Sequence, residues 1–318
     1  MTASQTKICS ISPDILTAVP LHDLTLCGWR IQSEIAITIL PAWSGAPDAP
    51  VDVSIKLGEV PQVIADGPVY IGVLGDDSAV VVAEGVGSFH VSSGSTVIAR
   101  PEAGAYPGAV EMIIIGPVLG ALCCQRNIQT LHSNTVVIDG RAIALSGPSG
   151  AGKSTLAAVL ASRGHTLISD DVLMLSRGAG ETFAHTGNRN LRLWRETLEL
   201  LGHDPAILRR AAVGERDKYY LPASGERVAP IWPLALLVWL DRRPTEIERI
   251  FKTDGLVRTD FVRRAVYRAH LAKEYGRRGR HSLVDLTLKG VDVHVMIRPR
   301  DLTRLDRQAD MIEALAKQ

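Results

Sequence analysis

Ala142-Ile143-Ala144-Leu145-Ser146-Gly147-Pro148-Ser149-Gly150-Ala151-Gly152-Lys153-Ser154-Thr155 decides how this chain is read. An apolar run of strand length enters glycine, and Leu156, Val159 and Leu160 follow at helical spacing. Residues 147–154 fit G-x-x-x-x-G-K-[S/T], with the strand before it and the helix after it that this phosphate-loop pattern needs. Glycines let successive backbone N–H groups turn inward around phosphate oxygens. The amino end of the following helix adds free donors and a favourable dipole. Lys153 would bridge the β- and γ-phosphates, and the Ser154 hydroxyl would reach Mg²⁺. Gly147, Pro148, Ser149, Gly150, Ala151, Gly152, Lys153, Ser154 and Thr155 are thus the expected nucleotide-binding residues.

Working outward, Val136-Val137-Ile138 leads through Asp139-Gly140, a hairpin-type dipeptide, into the strand of the loop. Gly164 stands where a helix C-cap belongs. The next strand, 165–169, ends at Asp170-Asp171, only 17 residues after Lys153. If that strand lies beside the loop strand, both carboxylates sit near the γ-phosphate. One would hold Mg²⁺ and the other would take a proton from an attacking hydroxyl. Neighbouring residues of a strand face opposite ways, which suits such a division. The bland alternative is a turn with two solvated aspartates. His132, at the start of the preceding strand, is either structural or set over the aspartates to tune them.

The remaining chain divides by texture. Residues 24–105 read as short strands, among them 35–40, 51–55, 69–73 and 79–82, separated by Gly-, Pro- and Asp-rich breaks. This predicts a small antiparallel β domain without catalytic signals. Residues 109–127 read as an apolar helix despite Pro117, 191–201 as a helix, 234–240 and 291–297 as buried strands, and 301–317 as an amphipathic helix. The expected fold class is α/β (α+β). A β-rich accessory domain would span 1–108 and a phosphate-loop kinase domain 109–318.

The chain has 318 residues, 46% hydrophobic and 22% charged, which excludes disorder as the dominant state. Its net charge of +1 hides a split: residues 1–130 carry −7 and residues 131–318 carry +8. Residues 241–281 hold 12 Lys/Arg against 6 Asp/Glu, either a solvated helical face or a surface steering anions to the site. Arg263, Arg264 and Arg268 would share one helix face. Aromatic residues are not interleaved with these charges, so no nucleic-acid partner is expected. The start shows no signal-peptide core, since Asp14 interrupts it. The longest uncharged apolar runs, 112–124 and 231–240, fall short of the roughly 20 residues of a membrane helix and read as core. Cys9, Cys27, Cys123 and Cys124 match no zinc spacing and read as reduced core residues. A cytoplasmic location with no membrane partner is expected.

Leu131-His132, the loop 147–155, and Arg163-Gly164-His165-Thr166-Leu167-Ile168-Ser169-Asp170-Asp171-Val172 together resemble the catalytic domain of bacterial HPr kinase/phosphorylase. The resemblance implies a core related to phosphoenolpyruvate carboxykinase. It also implies transfer of the γ-phosphate of ATP, with Mg²⁺, to a seryl hydroxyl. In that reading Lys153 contacts the phosphates, Ser154 and Asp171 hold the metal, Asp170 is the base, and His132 pairs with the aspartates. The family's acidic residue after the loop serine is Thr155 here, and its later glycine-rich signature has no clear counterpart. These departures weigh against reverse phosphorolysis and leave the kinase direction. Arg192, within Gly187-Asn188-Arg189-Asn190-Leu191-Arg192-Leu193-Trp194, is a candidate phosphate cap, and Lys218 another phosphate contact.

The whole layout, with Asp217-Lys218-Tyr219-Tyr220-Leu221-Pro222 and Arg298-Pro299-Arg300-Asp301-Leu302, is similar to stand-alone kinases that phosphorylate the C-terminal serine of lasso-peptide precursors. The implied partner is a peptide or small protein bearing serine, and the family implies a homo-oligomer with precedent for hexamers. Two other functions fit the same residues: a small-molecule kinase, and a nucleotide-sensing regulator without transfer. The aspartate pair argues against the latter, because sensing needs no proton acceptor.

Overall fold

The computed structural model describes residues 20–178, 180–211, 217–223, 228–277 and 288–317. Cys9 and the basic residues Arg278 and Arg280 lie outside the described residues. The first sheet has seven strands: β1 (His22–Leu26), β2 (Trp29–Ser33), β3 (Val53–Leu57), β4 (Val69–Gly75), β5 (Ser78–Ala83), β6 (Gly87–Ser92) and β7 (Thr96–Pro101). Their order is β1-β2-β3-β7-β6-β5-β4. The sheet is mixed, not purely antiparallel as expected, because β3 runs parallel to both β2 and β7. The cause is the long connection 34–52, which returns the chain to the start of a parallel neighbour.

That connection also corrects the expected strand 35–40. It holds bends and a turn, with Leu40 N donating to Ile37 O at 3.1 Å. Ile37 and Leu40 are buried, three residues apart, so the apolar pattern fills a core from a turn rather than alternating along a strand.

Residues 107–125 form the expected apolar helix: α1 (Pro107–Ile113), a π-helical segment (Ile114–Val118), and α2 (Leu119–Gln125). Pro117, which lacks an N–H, falls inside the π segment, where the ladder is already irregular. By length and composition alone this stretch would cross a membrane. Here 83% of its most apolar window is buried, packed in one core with the first sheet.

The second sheet has eight strands. They come, with their helices, in the order β8 (Thr130–Ile138), β9 (Arg141–Ser146), α3 (Lys153–Ser162), β10 (Thr166–Ser169), β11 (Val172–Gly178), β12 (Glu181–His185), β13 (Asn190–Trp194), α4 (Arg195–Leu200), β14 (Lys218–Pro222), β15 (Ile231–Arg242), β16 (Arg249–Lys252), α5 (Gly255–Ala265), α6 (Ala269–Arg277), β17 (Asp292–Arg298) and α7 (Leu305–Ala316). Strands β13 and β14 form a separate ribbon. β9, β15 and β17 are parallel neighbours, so their carboxyl ends share one edge. Alternation splits the core between the two faces. Ile143, Leu145 and Val238 pack with α3 and α7, whereas Ala142, Ala144 and Leu237 pack with α5.

Two more expectations need correction. Residues 191–194 are strand, not helix, and the helix starts at Arg195. Leu191 and Leu193 are buried on one face while Arg192 and Trp194 lie on the other, a period of two over a short run. Arg268 does not share a helix face with Arg263 and Arg264. α5 ends at Ala265, Val266 is extended, and Arg268 takes φ +49°.

Candidate active site

The hairpin turn Asp139-Gly140 has φ +49° and +77°, the left-handed pair that a two-residue turn requires. It aligns Ser133 with Ser146, and the chain leaves β9 at the shared edge. Gly147 follows at once. A Cβ there would lie 2.7 Å from the Leu240 carbonyl oxygen, so only glycine lets the loop pass the end of β15. Gly152 caps α3 in the left-handed region at φ +88°. Lys153 begins the helix and folds its side chain back over the loop. Its Nζ donates to Gly147 O at 2.8 Å and Pro148 O at 3.2 Å. Burial pushes its pKa down, and the nearby Asp171 and Asp170 oppose that shift.

β10 does not pair with β9. β8 stands between them, antiparallel to both, so β10 is parallel to β9 and ends at the same edge. Asp170 and Asp171 occupy the break between β10 and β11 and not a regular strand position. Asp171 takes φ +73°, a strained value for a residue with a side chain. The strand rule of opposite faces therefore fails here, and both carboxylates meet one guanidinium. Arg192 Nε lies 3.2 Å from Asp170 Oδ2, and its Nη2 lies 3.0 Å from Asp171 Oδ1.

The two acids are nonetheless unlike. Asp170 is 4% exposed, and Asn134 Nδ2 donates to its Oδ1 at 2.5 Å. Burial, reinforced by Asp171, raises its pKa against the opposing pull of Arg192 and Asn134. Burial acts the same way on Asp171, but Arg192, His132 and Lys153 outweigh it and hold that carboxyl below the usual range. His132 Nδ1 lies 3.2 Å from Asp171 Oδ1, so the histidine reaches Asp171 in particular. Its ring stands 6.0 Å from that of Tyr267. Tyr267 in turn packs against the helix 107–125 at Gly116 and Gly120, where a Cβ would come within 3.1 Å of it.

The expected residues thus gather at one sheet edge. Arg192 grips the aspartates, within electrostatic reach of Lys153. Lys218 stacks its Nζ 4.5 Å from the Trp194 ring, within electrostatic reach of Lys153. Sequence reading passed over Asn134, which links the two halves. It holds Asp170 and accepts from Ser154 Oγ at 3.4 Å. Its signal was a polar side chain in a buried strand, two residues from His132 and so on the same face.

Ser154 and the two carboxylates offer only hard oxygen donors, and no cluster of three or more His, Cys, Asp or Glu that could hold a metal occurs among the described residues. Such a donor set fits Mg²⁺ carried largely by phosphates and water. Cys27, Cys123 and Cys124 are buried and unpaired. A cleft of about 830 Å³ lies between the end of β1 with the connection 38–44 and the segments 186–190 and 228–230, lined by Cys27, Ile39, Gly187, Asn190 and Pro222 among others.

Residues 126–202 match the family model described as the HPr Serine kinase C-terminal domain. An HPr kinase/phosphorylase of Chlorobium luteolum is 42% identical over 62 residues, 20% of this chain and 18% of that protein. One of Chlorobaculum tepidum is 30% identical over 122 residues, 38% of this chain and 32% of that protein. The chain therefore spans about a fifth to a third of the length of these curated relatives. Among solved structures, the Hpr(Ser) kinase/phosphatase from Coxiella burnetii matches at 18% identity and a TM-score of 0.31, covering 59% of this chain and 94% of that one. The matched segment holds His132, the loop, both aspartates and Arg192, and over it the chain is similar to the HPr kinases.

Proposed function

We propose that this protein is an ATP-dependent kinase that phosphorylates a seryl hydroxyl of a peptide or small protein. The observation that carries the reading is Asp170: a buried carboxylate with a raised proton affinity, at the same edge as the loop 147–154. Such a group accepts a proton better than a solvated aspartate does. The acceptor hydroxyl would give its proton to Asp170 as its oxygen attacks the γ-phosphorus, with ADP as the leaving group. Asn134 and Arg192 hold Asp170 in place for that exchange. Lys153, now on loop carbonyls, would turn to the phosphates. Ser154 and Asp171 would hold Mg²⁺, which when bound neutralises charge on the transferring phosphoryl group. His132 fixes Asp171.

In this reading residues 109–318 carry catalysis and residues 1–108 are accessory, shaping with the loop 186–190 the cleft by which the acceptor approaches. The C-terminal serine of a lasso-peptide precursor is the acceptor proposed, the setting a cytoplasmic homo-oligomer, and the direction kinase rather than phosphorylase. The test is incubation with labelled ATP and a panel of serine-ending peptides, HPr-like proteins and free sugars and amino acids. Label in a peptide or protein serine supports the proposal. Label only in a free metabolite overturns it in favour of a small-molecule kinase, and tight ATP binding with no transfer favours a regulator.

A further inference from the structure

Arg298, the last residue of β17, stands at the same edge as the loop, two strands beyond β9. It is 3% exposed. Its Nε and Nη1 have no hydrogen-bond partner among the described residues. Burying a guanidinium with free N–H groups is unfavourable, and such groups in native folds find partners. Its surroundings make the position worse. A Cβ on Gly152 would lie 3.2 Å from Nη1 and 3.3 Å from Nη2, so the guanidinium packs directly on the amino end of α3. That end carries the positive pole of the helix dipole. Arg242 adds like charge nearby. Glu248 favours the charge from a distance; its Oε1 accepts from Gln308 at 2.6 Å, and its Oε2, 3.4 Å from Arg307 Nε, has no hydrogen-bond partner among the described residues. Burial pushes the Arg298 pKa down to about 10.

A cation without a partner and a helix amino end facing the same spot are relieved together by one anion. The site also has a direction. A terminal phosphate within reach of Asp170 would lie on the β8 side of the loop, and the rest of the phosphate chain would then run across the loop toward β15 and β17. We propose that Arg298 completes the nucleotide site, its free N–H groups pairing with the phosphate nearest the nucleoside at the amino end of α3. The inference rests on the reading of residues 147–154 as a nucleotide phosphate loop. It explains why glycine at 152 leaves the guanidinium a path to that point.

The experiment is calorimetric titration of the full chain with ADP and Mg²⁺, with thermal unfolding of the ligand-free protein, for the wild type and Arg298→Gln. Arg298→Met serves if the first variant does not fold. The variant should bind ADP about tenfold to a hundredfold more weakly, the range for a lost charged hydrogen bond. Its ligand-free melting temperature should equal or exceed that of the wild type, since an unpaired buried charge is gone. Arg298→Lys should restore part of the affinity. ADP binding within threefold of wild type by the variant overturns the role of Arg298 alone. A lowered ligand-free melting temperature overturns it too, by making Arg298 a structural support. Failure of the folded wild type to bind ADP at all overturns the phosphate-loop reading beneath it.

Discussion

Replacing Arg192 with methionine removes the one cation, among the described residues, that pairs with both aspartates. Two unit charges about 3 Å apart attract by roughly 5 kcal/mol at an effective dielectric near 20. The Arg192 side chain is 24% exposed, so solvent trims this, and the loss expected from breaking such a pair is about 3 kcal/mol. A ceiling comes from the relief available: one carboxylate takes a proton. At pH 7 that requires about 4 kcal/mol for a group of ordinary pKa, and at pH 5 only about 1.5. The sign follows from Asp171. Arg192 holds its folded pKa below the unfolded value, so it contributes stability fully present above the unfolded pKa, near 4, and lost as pH falls through the folded pKa. Over pH 5–7 that wild-type contribution is constant; in the variant burial alone raises both carboxyls, so one takes a proton as the pH falls and the gap narrows from pH 7 toward the pH 5 ceiling. Urea unfolding followed by tryptophan fluorescence should give a loss of about 3 kcal/mol at pH 7 and no more than half of that at pH 5. A loss under about 1 kcal/mol at pH 7, or the same loss at both pH values, would refute the reasoning.

Gly152→Ala forces a side chain into the left-handed region and against the Arg298 guanidinium, so urea unfolding should show a loss of about 1–2 kcal/mol; unchanged stability would contradict the loop geometry. Cys27 and Cys124 are buried with their thiols pushed up to about 12, and Cys123 is raised by the same cause. Alkylation at pH 8 mapped by peptide mass should find all three protected in the native protein and reactive in urea. Labelling of any of them at the rate of a free thiol would show that its burial is wrong.

The loop and its flanking strand and helix were legible because a glycine spacing and two periodicities all agreed over residues 142–164. His132 and the aspartates were legible as residue types but not as geometry. Nothing in Asp170-Asp171 announces that Asp171 takes a positive φ and turns both carboxylates toward Arg192, a contact across 22 residues of chain. The same limit explains 191–194, where two buried leucines suit a strand or a helix until β14 supplies a partner at Tyr219 and Leu221. It also explains 35–40, whose apolar residues serve a turn. Arg298 was out of reach, because an arginine ending an apolar strand looks like a solvated boundary until the buried guanidinium is seen beside Gly152.

The central claim, proton acceptance by Asp170, is tested most directly by Asp170→Asn in a transfer assay run beside ADP titration. Asparagine keeps the shape and removes the proton acceptor. The account predicts that transfer from labelled ATP to the acceptor serine falls by at least a hundredfold, within the range for removing a general base, while ADP affinity stays within a few fold of wild type. Transfer near the wild-type rate by a variant that binds ADP normally would contradict it.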